Sequence, residues 1–265
     1  MINKFWIVDA FADIPFSGNP ASVVLLSGEA TERYLQVVAR EFNLSETAFL
    51  RRASGENHWS LRWFTPTSEV DLCGHATLAA AMALADAGEA LDQVVFHTRS
   101  GPLLVKLASD GVEMDFPALP FAPAMVDAAL ALALGAQPIA QYSSTMDLLV
   151  EMESAPQVAA LAPRMDQLAE ISCRGVIATA VSDTPGIDFV SRFFAPRFGV
   201  PEDQVTGSAH CLLGPFWSAR LGRDRLVGRQ ISARPGTVGV RMVGDRVALS
   251  GSGRIVARGE LVGDT

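Results

Sequence analysis

The first 115 residues carry short apolar runs interrupted by two segments with helical spacing, a pattern that predicts strands and helices in mixed order. Residues 30–42 repeat their apolar side chains at intervals of three and four, which predicts an amphipathic helix, and residues 75–87 form a second, Ala-rich helix. The apolar runs are rich in Val, Ile, Phe and Trp, as is typical of β-strands. They occupy residues 5–11, 22–26, 47–50, 59–64, 94–98, 103–107 and 112–115.

The same order of elements returns after a proline-rich segment. FPALPFAP, at residues 116–123, carries three prolines, which interrupt regular structure and predict a hinge. The motifs WFTP and GHA, at 63–66 and 74–76, have counterparts in FFAP and GSA, at 193–196 and 207–209. The second series of predicted elements consists of strands near 147–151, 176–180 and 188–194 and helices near 155–170 and 208–221.

This repetition predicts a duplicated α+β fold. The predicted domains are residues 1–118 and 119–265, with a last strand near 254–260 that can return to the first domain. Two such domains usually meet at a cleft, and clefts between domains are frequent sites for small molecules. We expect the helix starts at Gly74 and Gly207 to face this cleft.

Composition narrows the class of protein. The chain has 21 Lys and Arg against 29 Asp and Glu, a formal charge of −8, which disfavours a nucleic-acid partner because that function needs clustered positive charge. Three cysteines without a C-x-x-C pair disfavour a disulfide framework and favour a reducing, cytoplasmic location. The N-terminal run is interpreted as a first strand rather than a signal peptide. No apolar stretch is long enough to predict a membrane span.

Two predicted helix starts, Gly74-His75 and Gly207-Ser208, are candidate anion sites. The first N–H groups of a helix have no partner within it, and the helix dipole adds partial positive charge there, so a substrate carboxylate fits. The imidazole of His75 could donate to the same substrate and titrates near neutral pH. The alternatives are a capping or packing role for His75 and a simple N-cap for Ser208.

Glu46, in FNLSETAFL, is the leading candidate for an acid or base. It follows a predicted helix and lies among apolar neighbours, where an ionised carboxylate is costly unless it is paired or used. We expect partial burial to raise its pKa towards that of a proton-transfer group. An exposed turn residue is the alternative. The internal repeat places its counterpart near Ala178, where there is no acid, so one half alone would carry the base.

Other polar residues are weaker candidates. Asp203, in PEDQVTGSAH, could orient the substrate or the second helix start, or be a charge on a polar loop. Cys73 could have a lowered pKa before a helix start and act as a base or nucleophile, or be buried and inert. Asn19 belongs to a Gly-Asn-Pro turn. Because His58 and His97 have no metal-ligand spacing to another His or Cys, we expect no metal site.

Four segments together resemble the PhzF family of phenazine-biosynthesis-like isomerases, which share the diaminopimelate epimerase fold. They are VDAFADIPFSGNPASVVLL, NLSETAFL, WFTPTSEVDLCGHATLAAA and PEDQVTGSAH, in the family's order over nearly the whole chain. The resemblance implies two pseudo-symmetric α+β domains, each with a barrel-like, mostly antiparallel sheet around a central helix. It also implies a homodimer, a small carboxylate-bearing substrate in the interdomain cleft, and no metal or organic cofactor.

The resemblance also implies catalytic roles. Glu46 stands in the family's S-E-T-A-F motif, so it would take a proton from one substrate carbon and return a proton at another. Gly74 and His75 match the G-H-A-T motif, whose backbone amide and imidazole bind the substrate or help to protonate it.

In the second half, Asp203, Gly207 and Ser208 match the family's E-D-x-x-T-G-S-A run, which holds polar groups of the substrate. Here Gln204 and Val205 replace the frequent Pro and Ala, a change that alters loop stiffness more than chemistry. The predicted catalytic residues are therefore Glu46, His75 and Asp203. The predicted substrate-binding residues are Asn19, Cys73, Gly74, Thr206, Gly207 and Ser208.

Epimerase relatives use two opposed cysteines as bases, which defines the main competing hypothesis. Cys73 aligns with the first of them, but the partner position is Thr206, so a one-base enzyme using Glu46 is favoured. Two alternatives stay open. One is an epimerase or racemase that uses Cys73 with Thr206 or a water, and the other is a small-ligand-binding protein of the same fold without turnover.

Overall fold

The chain folds into two compact units. The structure is a computed structural model that describes residues 2–90, 92–108 and 111–262. The first unit comprises the described residues up to Asp115 together with those from Ser250 onward, and the second unit is Phe116–Leu249. The chain therefore leaves the first unit once and returns to it for its last strand.

The first unit is a mostly antiparallel sheet with one central helix. Its elements are β1 (Asn3–Ala10), β2 (Asn19–Leu25), α1 (Glu32–Phe42), β3 (Glu46–Arg52), β4 (His58–Phe64), β5 (Glu69–Val70), α2 (Gly74–Asp86), β6 (Gln93–Thr98), β7 (Gly101–Ala108), β8 (Gly111–Pro117), which leads into the second unit, and β18 (Gly253–Leu261). Strand β1 pairs antiparallel with both β18 and β2. The pairs β2–β3 and β4–β6 are parallel, and β3–β4, β6–β7 and β7–β8 are antiparallel.

The second unit repeats this arrangement. Its elements are β9 (Phe121–Ala124), α3 (Ala128–Leu134), β10 (Ala140–Ser144), β11 (Asp147–Glu151), α4 (Ala155–Ala160), α5 (Met165–Glu170), β12 (Gly175–Val181), β13 (Phe189–Ala195), a 3-10 turn (Pro196–Phe198), β14 (Val200–Asp203), α6 (Gly207–Leu221), β15 (Arg225–Gln230), β16 (Gly236–Val243) and β17 (Arg246–Gly251). The pairs β11–β12 and β13–β15 are parallel. The pairs β9–β10, β10–β11, β12–β13 and β15–β16 are antiparallel.

Each unit has a helix that is apolar on all sides, as expected of a helix at the centre of a core. In α2 every residue from His75 to Ala81 is buried, and its small Ala side chains let β1, β2 and β3 approach closely. In α6 every residue from Ala209 to Gly214 is buried, and the helix packs against β15 and β16. The prediction of a sheet around a central helix is confirmed for both units.

Strand register shows that the two units are copies of one pattern. In the first unit, Thr47 of β3 lies opposite Phe64 of β4. In the second unit, Val176 of β12 lies opposite Phe194 of β13. The WFTP and FFAP motifs therefore occupy equivalent places, as their likeness in sequence predicts.

A repeated ion pair supports the same conclusion. Arg62 donates through Nε and Nη2 to the two carboxylate oxygens of Glu69 at 2.7 and 2.6 Å. Arg192 binds Glu202 in the same bidentate way at 2.7 and 2.8 Å. Chance likeness of short motifs would not reproduce a side-chain contact of this geometry. The duplication therefore extends to side-chain contacts within each unit. Among the described residues, no helix has both the length and the apolar character that a membrane span requires.

Candidate active site

A cluster of polar side chains surrounds the N-terminus of α2 in the first unit. Glu46 is the first residue of β3, Asn19 is the first residue of β2, and the parallel pairing of these strands brings them together beside α2. His75 is the second residue of α2, and Cys73 precedes the helix. Secondary structure, rather than a long loop, thus fixes the backbone of each member.

His75 lies at the centre of this cluster and is buried. Its Nε2 is 3.1 Å from Glu46 Oε2. Its Nδ1 is 3.5 Å from Cys73 Sγ and 3.3 Å from Asn19 Nδ2. Ser45, which sequence reasoning missed, places Oγ 3.4 Å from Nε2 and 3.3 Å from Asn19 Oδ1. The imidazole therefore has a polar neighbour at each ring nitrogen, which holds the ring in one orientation.

The pKa of Glu46 contradicts the expectation drawn from its sequence context. Burial does act to raise this pKa, but the charge of His75 and hydrogen bonds from His75, Ser45 and Cys73 outweigh that effect, and the pKa of Glu46 is lowered. Burial likewise disfavours the charged form of His75. The Cys73 and Glu46 groups beside it prevail, and the pKa of His75 is raised well above its usual value. Glu46 and His75 thus each favour the charged form of the other.

The position of Cys73 before a helix does not lower the pKa of its thiol. Burial, followed by the negative charge of Glu46, raises the pKa of Cys73. The thiol therefore stays protonated at neutral pH, which weighs against its use as a base. Cys73 makes no side-chain capping hydrogen bond at the start of α2.

The predicted residues of the second unit gather at the start of α6. Asp203 accepts hydrogen bonds from Thr206 Oγ1 at 2.5 Å and from the Gln204 backbone N–H at 2.9 Å. Gln230 fixes the same turn by accepting from the Thr206 N–H and donating to the Asp203 carbonyl. Asp203 thus orients the start of the second helix, one of the two roles considered for it. Gly207 is the first residue of α6.

Ser208, the next residue of α6, has a charged neighbour that the sequence did not reveal. Arg174 Nη2 donates to Ser208 Oγ at 3.0 Å. The same guanidinium binds both oxygens of Asp147 at 2.9 and 2.5 Å, and the Asp147 side chain is wholly buried. Arg174 stands directly before β12 as Ser45 stands directly before β3, so alignment of the two repeats could have identified it.

The same alignment corrects the predicted counterpart of Glu46. Strand register makes Gly175, and not a residue near Ala178, its equivalent. A Cβ atom on Gly175 would lie 2.3 Å from Cζ of Phe193, so the ring excludes any side chain there. Of the two equivalent positions, only the one in the first unit carries an acid, as predicted, and the Phe193 ring is the steric reason that the second unit has glycine.

The nine predicted site residues thus form two sets, each assembled within its own unit. That the sets share a cleft stays a prediction. Glu46, Cys73 and His75 are also the one group in the described part of the chain whose ligand atoms could converge on a metal ion. His58 and His97, far apart in sequence, contact each other through Nδ1 and Nε2 at 2.8 Å.

Comparison with known proteins places this architecture in the epimerase-like class. The crystal structure of a hydroxyproline epimerase from Agrobacterium vitis, with bound trans-4-hydroxy-L-proline, has a TM-score of 0.63 with this chain, covering 98% of it and 92% of that chain. At 13% identity the likeness is one of fold.

The family follows from closer matches. The model for phenazine biosynthesis-like proteins, PhzC-PhzF, matches residues 8–259, and the chain belongs to this PhzF family. An uncharacterized isomerase of Pseudomonas aeruginosa is 46% identical over 97% of this chain and 98% of its own length. The crystal structure of a PhzF family protein from Enterococcus faecalis has a TM-score of 0.95 at 38% identity, covering 99% of this chain and 100% of that one. The family resemblance drawn from the four motifs is confirmed.

Proposed function

We propose that this protein is an isomerase that moves a proton between carbon atoms of a small, carboxylate-bearing metabolite, with Glu46 as the general acid and base. The observation that carries the proposal is the contact between Glu46 and His75, a carboxylate and an imidazole 3.1 Å apart in a largely water-excluded cluster. Membership of a family with a relative named as an isomerase supports the reaction class.

The lowered pKa of Glu46 fits both halves of such a reaction. At neutral pH the carboxylate is ionised and can accept a proton when a substrate C–H bond breaks. The bonding electrons then pass into the conjugated system of the substrate. Once protonated, Glu46 is a strong enough acid to return the proton at another carbon, which completes the isomerisation with atoms and charges balanced.

His75 can link these two steps. In the resting cluster its Nε2 faces Glu46, and this contact holds the Glu46 pKa down. If the imidazolium turns its hydrogen bond towards the developing negative charge of the substrate, Glu46 becomes a stronger base at the moment of proton removal. We assign the substrate carboxylate to the N–H groups at the start of α2, beginning at Gly74.

The competing thiol mechanism has less support. It needs a reactive Cys73, whose pKa is raised, and a second group at Thr206, whose hydroxyl is donated to Asp203. A binding protein without turnover stays an outcome of the experiment below. The homodimer expected from the family resemblance is likewise a proposal, to be checked by the molar mass in solution.

The decisive experiment is solvent hydrogen exchange. A panel of small cyclic and amino-acid-like carboxylates is incubated with the protein in D2O, and deuterium at carbon is measured by NMR. We expect exchange into at least one compound, and its loss in Glu46→Gln. Glu69→Gln is the matched control, because it removes a similarly buried carboxylate of the same unit outside the cluster. Full exchange in Glu46→Gln would refute the assignment, and compounds that bind without exchange would indicate a binding protein.

A further inference from the structure

Glu46, Cys73 and His75 present three different metal-ligand atoms to a common point. A carboxylate oxygen, a thiol sulfur and a ring nitrogen all lie within 4.8 Å of one another. His75 is 3.1 Å from the Glu46 carboxylate and 3.5 Å from the Cys73 sulfur. Two of these side chains flank the first residue of α2 and the third begins β3, so the cluster is built on regular secondary structure.

The separations approach those around a single tetrahedral zinc ion. Zn–S bonds of about 2.3 Å and Zn–N or Zn–O bonds of about 2.0–2.2 Å place neighbouring ligand atoms roughly 3.4–3.6 Å apart. Cys73 and His75 are held at the helix start. Cys73 contacts Nδ1 of His75, whereas Glu46 contacts Nε2. One of these two side chains must therefore rotate before both can bind the same ion. Glu46 can do so, since its side chain is 19% exposed and the most accessible of the three.

The carboxylate is buried beside an imidazole. Glu46 Oε2 is a buried oxygen, and His75 Nε2 lies 3.1 Å from it, at ion-pair distance. A buried anionic oxygen needs a compensating positive charge. A divalent cation would bind it directly. One carboxylate, one thiolate and one neutral imidazole would balance the charge of that cation.

The donor set also selects the kind of metal. A thiolate and an imidazole favour Zn²⁺ or its softer congener Cd²⁺, whereas Mg²⁺ and Ca²⁺ prefer oxygen ligands throughout. We propose that Glu46, Cys73 and His75 form a binding site for a soft divalent cation, which blocks the active site reversibly. On binding, the Cys73 S–H bond breaks, its proton passes to solvent, and a sulfur–metal bond forms. An imidazolium proton is released in the same way, and no redox change occurs.

The binding step does not depend on the proposed reaction and is tested with Cd²⁺ alone. Thiolate coordination to Cd²⁺ produces a ligand-to-metal charge-transfer band in the ultraviolet. We expect one such site per chain, loss of the band in Cys73→Ser, and no change in Cys173→Ser or Cys211→Ser. These two matched controls remove the other thiols of the chain, one partly buried and one buried. Mg²⁺ in excess should not reduce the signal.

The other two ligands are tested by titration calorimetry with Zn²⁺. Glu46→Gln and His75→Gln should each weaken binding by about tenfold or more, the scale seen when groups that support a metal site are removed. Circular dichroism establishes that each variant is folded. A Cd²⁺ band that survives in Cys73→Ser, or Zn²⁺ affinities unchanged in both other variants, would overturn the proposal.

The blocking step rests on the proposed function and has its own readout. Zn²⁺ should inhibit deuterium exchange, a chelator should restore it, and substrate should protect against inhibition. If Cd²⁺ binds through Cys73 while Glu46→Gln retains exchange, the metal site stands and the proposed catalytic role fails. If Cd²⁺ does not bind while exchange still depends on Glu46, the metal site fails and the proposed catalytic role stands.

Discussion

Replacing each member of the Arg174–Asp147 ion pair in turn tests whether the loss of stability depends on how deeply the remaining charge is buried. Arg174→Gln leaves the wholly buried Asp147 carboxylate without its bidentate partner. Leaving a buried charge unpaired costs roughly 3–5 kcal/mol. Asp147→Asn leaves the guanidinium instead, and because Arg174 is 31% exposed, water can solvate it. We expect that loss to be about 1–2 kcal/mol.

The double variant, Arg174→Gln with Asp147→Asn, should be more stable than Arg174→Gln alone, because it leaves no charge buried. For a chain of this size, a loss of 3 kcal/mol corresponds to a Tm about 6–12 °C lower. Urea unfolding followed by tryptophan fluorescence measures all three variants; Trp217 is the one tryptophan of the second unit, and the other three lie in the first unit. Arg258→Gln, at an exposed pair with Asp86, is the control and should change stability by less than about 0.5 kcal/mol. The reasoning fails if Asp147→Asn costs more than Arg174→Gln.

Three further predictions concern the rest of the site. Cys73→Ser should retain deuterium exchange, because the raised pKa of Cys73 makes its thiol an unsuitable base; loss of exchange in a folded variant would favour the thiol mechanism. The Glu46 contribution to stability is present above pH 4.5 and is lost as pH falls through the lowered pKa, whereas the His75 contribution is present below pH 6.5 and is lost as pH rises through the raised pKa. The free energy of unfolding of His75→Gln should therefore differ most from that of the wild type between these pH values. Urea unfolding at a series of pH values checks this, and a difference that stays constant with pH would show that Glu46 and His75 are uncoupled. Gly175→Ala should destabilise the protein by about 1–3 kcal/mol, because the new Cβ meets the Phe193 ring. Wild-type stability in urea unfolding would contradict that packing.

The repeat and the helix starts could be predicted because local sequence determines both. The WFTP and FFAP motifs recur at equivalent strand positions, and Gly74 and Gly207 are the first residues of α2 and α6. Strand register depends on partners distant in sequence. The sequence alone therefore predicts the counterpart of Glu46 near Ala178, three residues beyond Gly175.

The chemistry of the cluster could not be read from local context either. Sequence neighbours indicated burial around Glu46, but the direction of its pKa depends on His75, which only the fold brings within 3.1 Å. Ser45 and Arg174 were missed for the same reason. A serine or an arginine before a strand is common, and each becomes informative only when its contact with the neighbouring helix start is known.

The duplication explains why the proposed chemistry uses one base. A two-base epimerase needs an acid or base from each copy, so that one removes a proton and the other returns it on the opposite face. Here the second copy has glycine where the first has Glu46, the Phe193 ring fills the space, and the Thr206 hydroxyl is held by Asp203. A lone carboxylate must return the proton on the face from which it took it. In the proposed reaction, therefore, the proton moves along one face of the substrate and no stereocentre is inverted.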